Sequence, residues 1–319
     1  GLVTVTTDYP DVIPFRTYAK DAEARRELTH AFLNIAWPAN DARLKELFAL
    51  RQEHAELVGF DNWADYDADV KMIGNGKAIP EFVDKITAAA NDRALADKGV
   101  VLKRLQQDRP DATDIDGADL VYYEELVRTE QLEVDAQKVR TYFDFSAVRQ
   151  GLLDVTGRLF GLTYAPATDA VLWDDDVAAY EVLREGERIG RIYLDLHPRE
   201  GKYKHAAQFD LVRGIAGRQL PEGVLVCNFP RGLMEHDNVV TLFHEFGHLL
   251  HHVLAGHGEW ARFSGVATEW DFVEAPSQML EEWAWDPSVL ATFAKNKDGE
   301  PIPAELVEKM RIADDFGKG

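Results

Sequence analysis

Two histidines and a glutamate stand close together in Thr241-Leu242-Phe243-His244-Glu245-Phe246-Gly247-His248-Leu249-Leu250. On a helix a four-residue spacing puts His244 and His248 on one face, one turn apart, where their imidazoles can share a metal ion. Glu245 lies beside His244 on the same turn and can reach a water on that metal without ligating it. The flanks are apolar, with Val239, Val240, Leu242 and Phe243 before and Leu249, Leu250, Val253 and Leu254 after. Such flanks suit a helix that is buried except where an ion sits.

At this chain's His and Glu frequencies His-Glu-x-x-His arises by chance in roughly a few per cent of such chains, so a third ligand is needed. A catalytic zinc takes three protein ligands and keeps one position open. The three-histidine pattern His-Glu-x-x-His-x-x-Gly-x-x-His would need Gly at 251 and His at 254, and the chain has His251 and Leu254. A carboxylate on a later helix is the alternative. Glu274, in Asp271-Phe272-Val273-Glu274-Ala275-Pro276-Ser277-Gln278-Met279-Leu280-Glu281, is credible as that ligand. It equally suits a capping-box acid paired with Asp271. Glu281, two turns beyond Glu274, and Asp271 are the candidates to orient the imidazoles through their other nitrogens. His251 and His252 lie beyond reach of the same ion and read as structural or cleft-lining. His257, in Ala255-Gly256-His257-Gly258-Glu259, is expected on a flexible loop of the kind that covers active sites.

Phe-His-Glu-Phe-Gly-His at 243–248, Phe-Ser-Gly at 263–265 and the 271–281 segment together resemble the thimet oligopeptidase/neurolysin family of zinc peptidases, family M3. The block Gly190–Ala207 and the short stretches Leu57-Val58-Gly59-Phe60 and Ala64-Asp65-Tyr66 are similar to other family segments. The likeness runs through most of the chain. It implies a mainly α, neurolysin-like zincin, with multi-helix lobes and a small β-sheet next to the active-site helix. It also implies one zinc per chain on His244, His248 and Glu274, with Glu245 as the catalytic base. Short peptides are the substrates it implies, through endopeptidase or related activity. By the same resemblance Tyr203, His205 and Gly265 become candidate substrate contacts, although Lys204 and Val266 stand where the family has Gly and Thr. The family carries a later Tyr- and Gly-rich segment that stabilises the oxyanion, with no counterpart before Gly319. The chain therefore reads as an internal fragment, whose rival role is zinc- and peptide-binding without catalysis, with missing segments of its own polypeptide among its partners.

The 319 residues are 46% hydrophobic, enough for one large domain or two subdomains. A net charge of −21 argues against nucleic acid and anionic membranes as partners. The single Cys227 excludes an internal disulfide and reads as a small buried residue. With no signal-peptide pattern, a cytoplasmic location is expected.

The supporting elements follow from periodicity. Residues 1–162 are expected to form a helical lobe, with helices over Ala22–Trp37, Ala42–Val58, Pro80–Asp108, Ala118–Glu133 and Ala136–Leu162. Asp108–Asp114 reads as an exposed linker. Residues 163–319 form the expected catalytic region, with a small sheet over 163–230 and zinc-binding helices over 236–285. Strands are expected at Val171–Trp173, Ala179–Leu183, Arg191–Leu196 and Val224–Phe229. One edge of this sheet is expected to line the cleft and pair with an extended peptide. The basic loop Lys202-Tyr203-Lys204-His205 serves either as an ordinary surface turn or as part of that cleft.

Overall fold

The computed structural model describes residues 3–318; the terminal Gly1, Leu2 and Gly319 lie outside them. The chain divides into two compact units. The first comprises Gly1–Glu133 with Glu269–Asp271 and Ile312–Gly319, the second Val134–Thr268 with Phe272–Arg311. The boundary expected at 162 therefore falls at 133/134.

The first unit is helical: α1 (Tyr9–Tyr18), α2 (Ala22–Leu33), α3 (Asp41–Leu57), α4 (Trp63–Ala68), α5 (Ala78–Asp108) and α6 (Gly117–Gln131). Short polar side chains start three of them. Asp21 accepts from Glu23 and Ala24 N–H, Asn62 from Asp65 N–H, and Asp116 from Ala118 and Asp119 N–H, meeting donors that a helix start leaves unpaired. Val101, Leu105, Tyr123, Val127 and Phe316 form a small core. A buried Arg25–Asp119 ion pair of 2.6 Å accompanies it, with Arg25 also lying over the Tyr122 ring. The stretch 108–114 connects α5 to α6 and is mostly exposed, with Gln106 Nε2 donating to Ala112 O and Arg109 pairing with Asp119. Helix α3 buries only Ala55 and leaves Leu44, Leu47 and Phe48 exposed.

In the second unit the long helix expected over 136–162 is broken into α7 (Ala136–Val139) and α8 (Phe145–Phe160). Asp144 caps α8 through Ser146 and Ala147 N–H, while Phe143 is buried at the break. Helix α8 ends at Gly161 in a left-handed turn (φ 66°), and the chain leaves directly as a strand. Because α8 packs on that strand, it belongs with the sheet and draws the boundary towards the N-terminus.

The sheet has five strands: β1 (Leu162–Pro166), β2 (Ala178–Arg184), β3 (Glu187–Asp195), β4 (Ala207–Val212) and β5 (Glu222–Val226), in the order β1-β2-β3-β5-β4. The β2–β3 hairpin turns on Glu185 and Gly186, both at positive φ (53° and 85°), the backbone of a two-residue turn matched to strand twist. Strands β3 and β5 run parallel; the other pairs are antiparallel. Val171–Trp173 is not a strand: Trp173 instead donates its indole N–H to Asp195 at 2.9 Å. Strands β1 and β4 lay outside the expected set. The remaining helices are α9 (His236–Leu254), α10 (Ala275–Glu281), α11 (Pro287–Phe293) and α12 (Ala304–Asp314). Val239, Leu242, Phe243, Phe246, Leu249, Leu250 and Val253 recur every three or four residues along α9 and are buried with Val182, Ile192, Leu194 and Leu225 of the sheet. No described helix is long and apolar enough to cross a membrane.

Lys202, read as part of a basic turn, is buried. Its ammonium donates to the carbonyls of Asp195 (2.9 Å), His197 (2.6 Å) and Cys227 (2.5 Å) and lies 2.8 Å from Asp195 Oδ1. The knot joins the ends of β3 and β5 to the loop that leads into β4. Burial opposes ionisation of Asp195, but hydrogen bonds from Arg199, Lys202 and Trp173 outweigh it and hold the carboxyl well below its usual range. Folding therefore gains from this carboxylate at pH above about 4, and the gain is lost as pH falls through and below that value. Lys202→Ala leaves a buried carboxylate and three carbonyls short of a donor. Urea denaturation should show a loss of about 3–5 kcal/mol.

Candidate active site

Helix α9 buries its apolar stripe and so presents His244, Glu245 and His248 on the adjoining, half-buried flank. The opposing wall comes from the start of α10, where Pro276 occupies the first turn and Glu274 is the residue before the helix. The two helices can approach because Gly247 has no side chain: a Cβ there would lie 2.7 Å from Ser277 Cα. Glu274 Oε2 sits 3.1 Å from His244 Nε2 and 3.0 Å from His248 Nε2. One ligand-capable atom from each of the three lies within 4.8 Å of the other two.

These groups fit a metal ion. Glu281 Oε1 lies 2.6 Å from His244 Nδ1, which fixes the ring proton on that nitrogen and leaves the Nε2 lone pair facing Glu274. His244 Nε2 and His248 Nε2 then converge on one carboxylate oxygen, an arrangement that suits a cation. A tetrahedral ion with bonds of about 2.0–2.2 Å sets its ligands roughly 3.3–3.6 Å apart, close to the distances seen. Burial would raise the Glu274 carboxyl, yet the Ser277 hydroxyl (2.8 Å) and the two imidazoles hold it below its usual value. Burial, helped by the neighbouring His244, pushes His248 towards its neutral, metal-binding form against the pull of Glu274. Ser277, fully buried and also bonded to Glu274 O at 2.9 Å, had no assigned role in the sequence reading. Its position three residues after a candidate ligand was the available signal.

Burial raises the Glu245 carboxyl; His244 lowers it, Glu274 raises it further, and a hydrogen bond from Gln208 N–H lowers it. Gln208 lies on β4, whose other side has no strand among the described residues. Strand β4 packs against α9, the helix that carries this carboxylate. Cys227, buried as expected, is close enough to feel the Glu245 charge; burial first pushes its thiol up.

Other candidates are placed differently. Asp271 neither caps α10 nor meets an imidazole: it belongs to the first unit, where it accepts from Met72 N–H (3.0 Å) and Ile73 N–H (2.9 Å). Tyr203 and His205 lie on the turn before β4, their carbonyls held by Asn228 Nδ2 (3.0 and 3.2 Å) and the Tyr203 ring packed on His205 and Phe209. Gly265, at φ 83°, faces His252 and Asp210. The loop carrying His257 is docked, with Gly258 O accepting from Ala216 N–H and a Cβ on Gly214 landing 1.8 Å from Gly256 O. Such close packing does not suit a lid. Replacing Glu281 by Gln removes the charge that orients His244, and competition with a chromophoric chelator should show zinc affinity lower by about 10–100-fold.

Residues 15–319 match the family model for Peptidase family M3, and the chain belongs to that family. Among similar proteins are oligopeptidase A of Escherichia coli (33% identical over 98% of this chain and 49% of the relative) and saccharolysin of Saccharomyces cerevisiae (35%, 97% and 47%). A thimet-like oligopeptidase of Dictyostelium discoideum is 31% identical over 98% of this chain and 50% of its own length. The chain spans about half the length of the curated relatives it matches.

Proposed function

We propose that the chain carries the catalytic centre of a zinc-dependent endo-oligopeptidase that hydrolyses short peptides. The observation that carries this reading is the convergence of His244 Nε2 and His248 Nε2 on Glu274 Oε2, with Glu245 alongside. His244, His248 and Glu274 would hold one zinc ion. When bound there, zinc supplies Lewis acidity, which makes water nucleophilic near neutral pH and polarises a peptide carbonyl. Glu281 keeps the His244 ring in the required tautomer, and Ser277 keeps Glu274 ionised. Glu245, its carboxyl raised by burial, takes the proton of the attacking water and delivers it to the departing amine. The outer edge of β4, a strand packed against α9, offers main-chain groups on which an extended peptide can align, with Tyr203 and His205 on the preceding turn as further contacts. A cytoplasmic location belongs to the same proposal.

The test is cleavage of a short quenched-fluorescent peptide by the chain reconstituted with zinc. Cleavage that a chelator abolishes and zinc restores supports the reading. Zinc bound one to one without cleavage would favour a chain that holds metal and peptide without turnover, a reading consistent with its covering half the length of its relatives. Failure to bind zinc overturns both.

A further inference from the structure

The loop between α4 and α5 contains Asn75-Gly76, a pair that the proposed hydrolysis does not use. In a mobile chain such a pair is chemically labile. The Gly76 nitrogen loses its proton and attacks Asn75 Cγ; the Cγ–Nδ2 bond breaks and ammonia leaves. Water then opens the cyclic imide at either carbonyl, giving aspartate or isoaspartate in place of asparagine. Glycine is the most permissive partner in this reaction, because no side chain crowds its nitrogen and its backbone turns freely.

Packing explains why glycine stands at 76. A Cβ there would fall 2.7 Å from Ala64 Cβ, 2.8 Å from Ala64 C and 2.9 Å from Asp65 N, against the first turn of α4. Two of these are main-chain atoms, so no larger residue fits without moving α4 or the loop. Asn75 is exposed, yet it has its own task. Its Oδ1 accepts from Ala78 N–H at 2.9 Å, meeting a donor that the start of α5 leaves unpaired. Both residue types follow from the fold, and the labile pair comes with them.

The reacting groups are both held. Gly76 N–H donates to Asp65 Oδ1 at 2.9 Å. Asp65 is anchored in turn: its Oδ2 accepts from Asn62 Nδ2 at 2.6 Å, and its N–H donates to Asn62 Oδ1 at 2.9 Å. The proton that must leave Gly76 is therefore bound to a carboxylate, whose charge also opposes the anion left behind. The bond from Ala78 N–H to Asn75 Oδ1 fixes the torsion that would swing Cγ onto the nitrogen. Upstream, Met72 and Ile73 N–H donate to Asp271, so the loop is tied on both sides of the pair.

We propose that Asn75–Gly76 is a latent site of spontaneous deamidation, which Asp65 keeps closed while the chain is folded. Opening of the loop releases it. An aspartate product still accepts from Ala78 N–H. An isoaspartate product runs the main chain through the former side chain and displaces the first turn of α5. The proposal is independent of the zinc-peptidase reading.

The experiment keeps the full chain folded and, in parallel, unfolded in guanidinium chloride at the same mildly alkaline pH. Peptide mass mapping follows Asn75 with time, and enzymatic methyl labelling scores isoaspartate. Deamidation in the folded chain should be slower by about 10–100-fold, the cost of first breaking a hydrogen bond to an ionised group. Asp65→Ala should restore most of the unfolded rate to the folded chain. Asp65→Asn, which keeps an acceptor without the charge, should fall between. Amide exchange on the same samples separates loss of the guard from loss of the helices: Gly76 N–H should quicken in Asp65→Ala while α5 beyond its first turn stays protected. If α5 loses protection in that variant, the Asp65→Asn rate alone decides. Asn75→Asp should show no mass gain and unchanged exchange in α5. Equal rates in the folded and unfolded parent would overturn the proposal, as would Asp65 variants that deamidate no faster than the parent.

Discussion

On the zinc-peptidase reading proposed above, the Glu245→Gln chain should bind one zinc and hydrolyse peptides about 10²–10⁴-fold more slowly than the parent, the span that a positioned general base contributes. The substitution keeps side-chain length and leaves an oxygen to accept from Gln208 N–H, so the local fold has no reason to change. It removes the carboxylate that the proposed mechanism uses to receive a proton and pass it on. Zinc stoichiometry by metal analysis and turnover of a quenched peptide, measured on the same preparation, check both halves. Retained turnover would sink the assignment of Glu245, and lost zinc would show that the substitution had done something else. His248→Ala provides the contrast: it removes a ligand, and zinc itself should be lost.

Gly247→Ala will damage the site without touching a proposed ligand. The added Cβ would stand 2.7 Å from Ser277 Cα, 3.1 Å from Pro276 O and 3.3 Å from Ser277 N. All three are main-chain atoms, so no rotamer change relieves the contact, and α10 has to move by something on the order of 1 Å. Glu274 stands immediately before α10 and is tied to Ser277 by two hydrogen bonds, so it moves as well. Overpacking of this kind costs about 1–3 kcal/mol; zinc affinity should fall at least as far as for Glu281→Gln, on the order of 10–100-fold. Chemical denaturation and chelator competition measure the two effects. Gly99→Ala is the control. That glycine lies inside α5 with nothing within 4 Å of its missing Cβ, and the change should stabilise by about 0.5–1 kcal/mol.

Much of the candidate site, the cluster of His244, His248 and Glu274, was legible because helical spacing and ligand chemistry leave few choices. Once His244 and His248 share a face, the third ligand has to come from elsewhere, and Glu274 in an apolar setting was the available carboxylate. The same setting could not separate Glu281 from Asp271 as the partner of an imidazole. Distance decides between them: Glu281 meets His244, whereas Asp271 holds two backbone N–H groups near Met72. Strand β4 escaped notice because Gln208 and Asp210 break its apolar run, and its tertiary contacts with α9 are invisible to periodicity. Lys202 escaped for the opposite reason. A lysine next to Tyr203 and Lys204 reads as solvated, and only the convergence of three carbonyls and Asp195 makes its burial tenable. The 136–162 break is local chemistry: the first helix ends at Val139, and Asp144, in extended backbone, caps the next, a signal hidden by the continuous apolar period around it.

The open side of β4 carries a further consequence. A row of unpaired main-chain groups invites any extended chain, including a neighbouring molecule, and is where sheets begin to stack into aggregates. Here the strand is six residues long, its pairing slips between Asp210 and Val212, and a carboxylate stands at the slip. An incoming chain finds a few good rungs and then an acidic kink. The features that would let a short peptide lie along β4 also make this edge a poor seed for fibril growth.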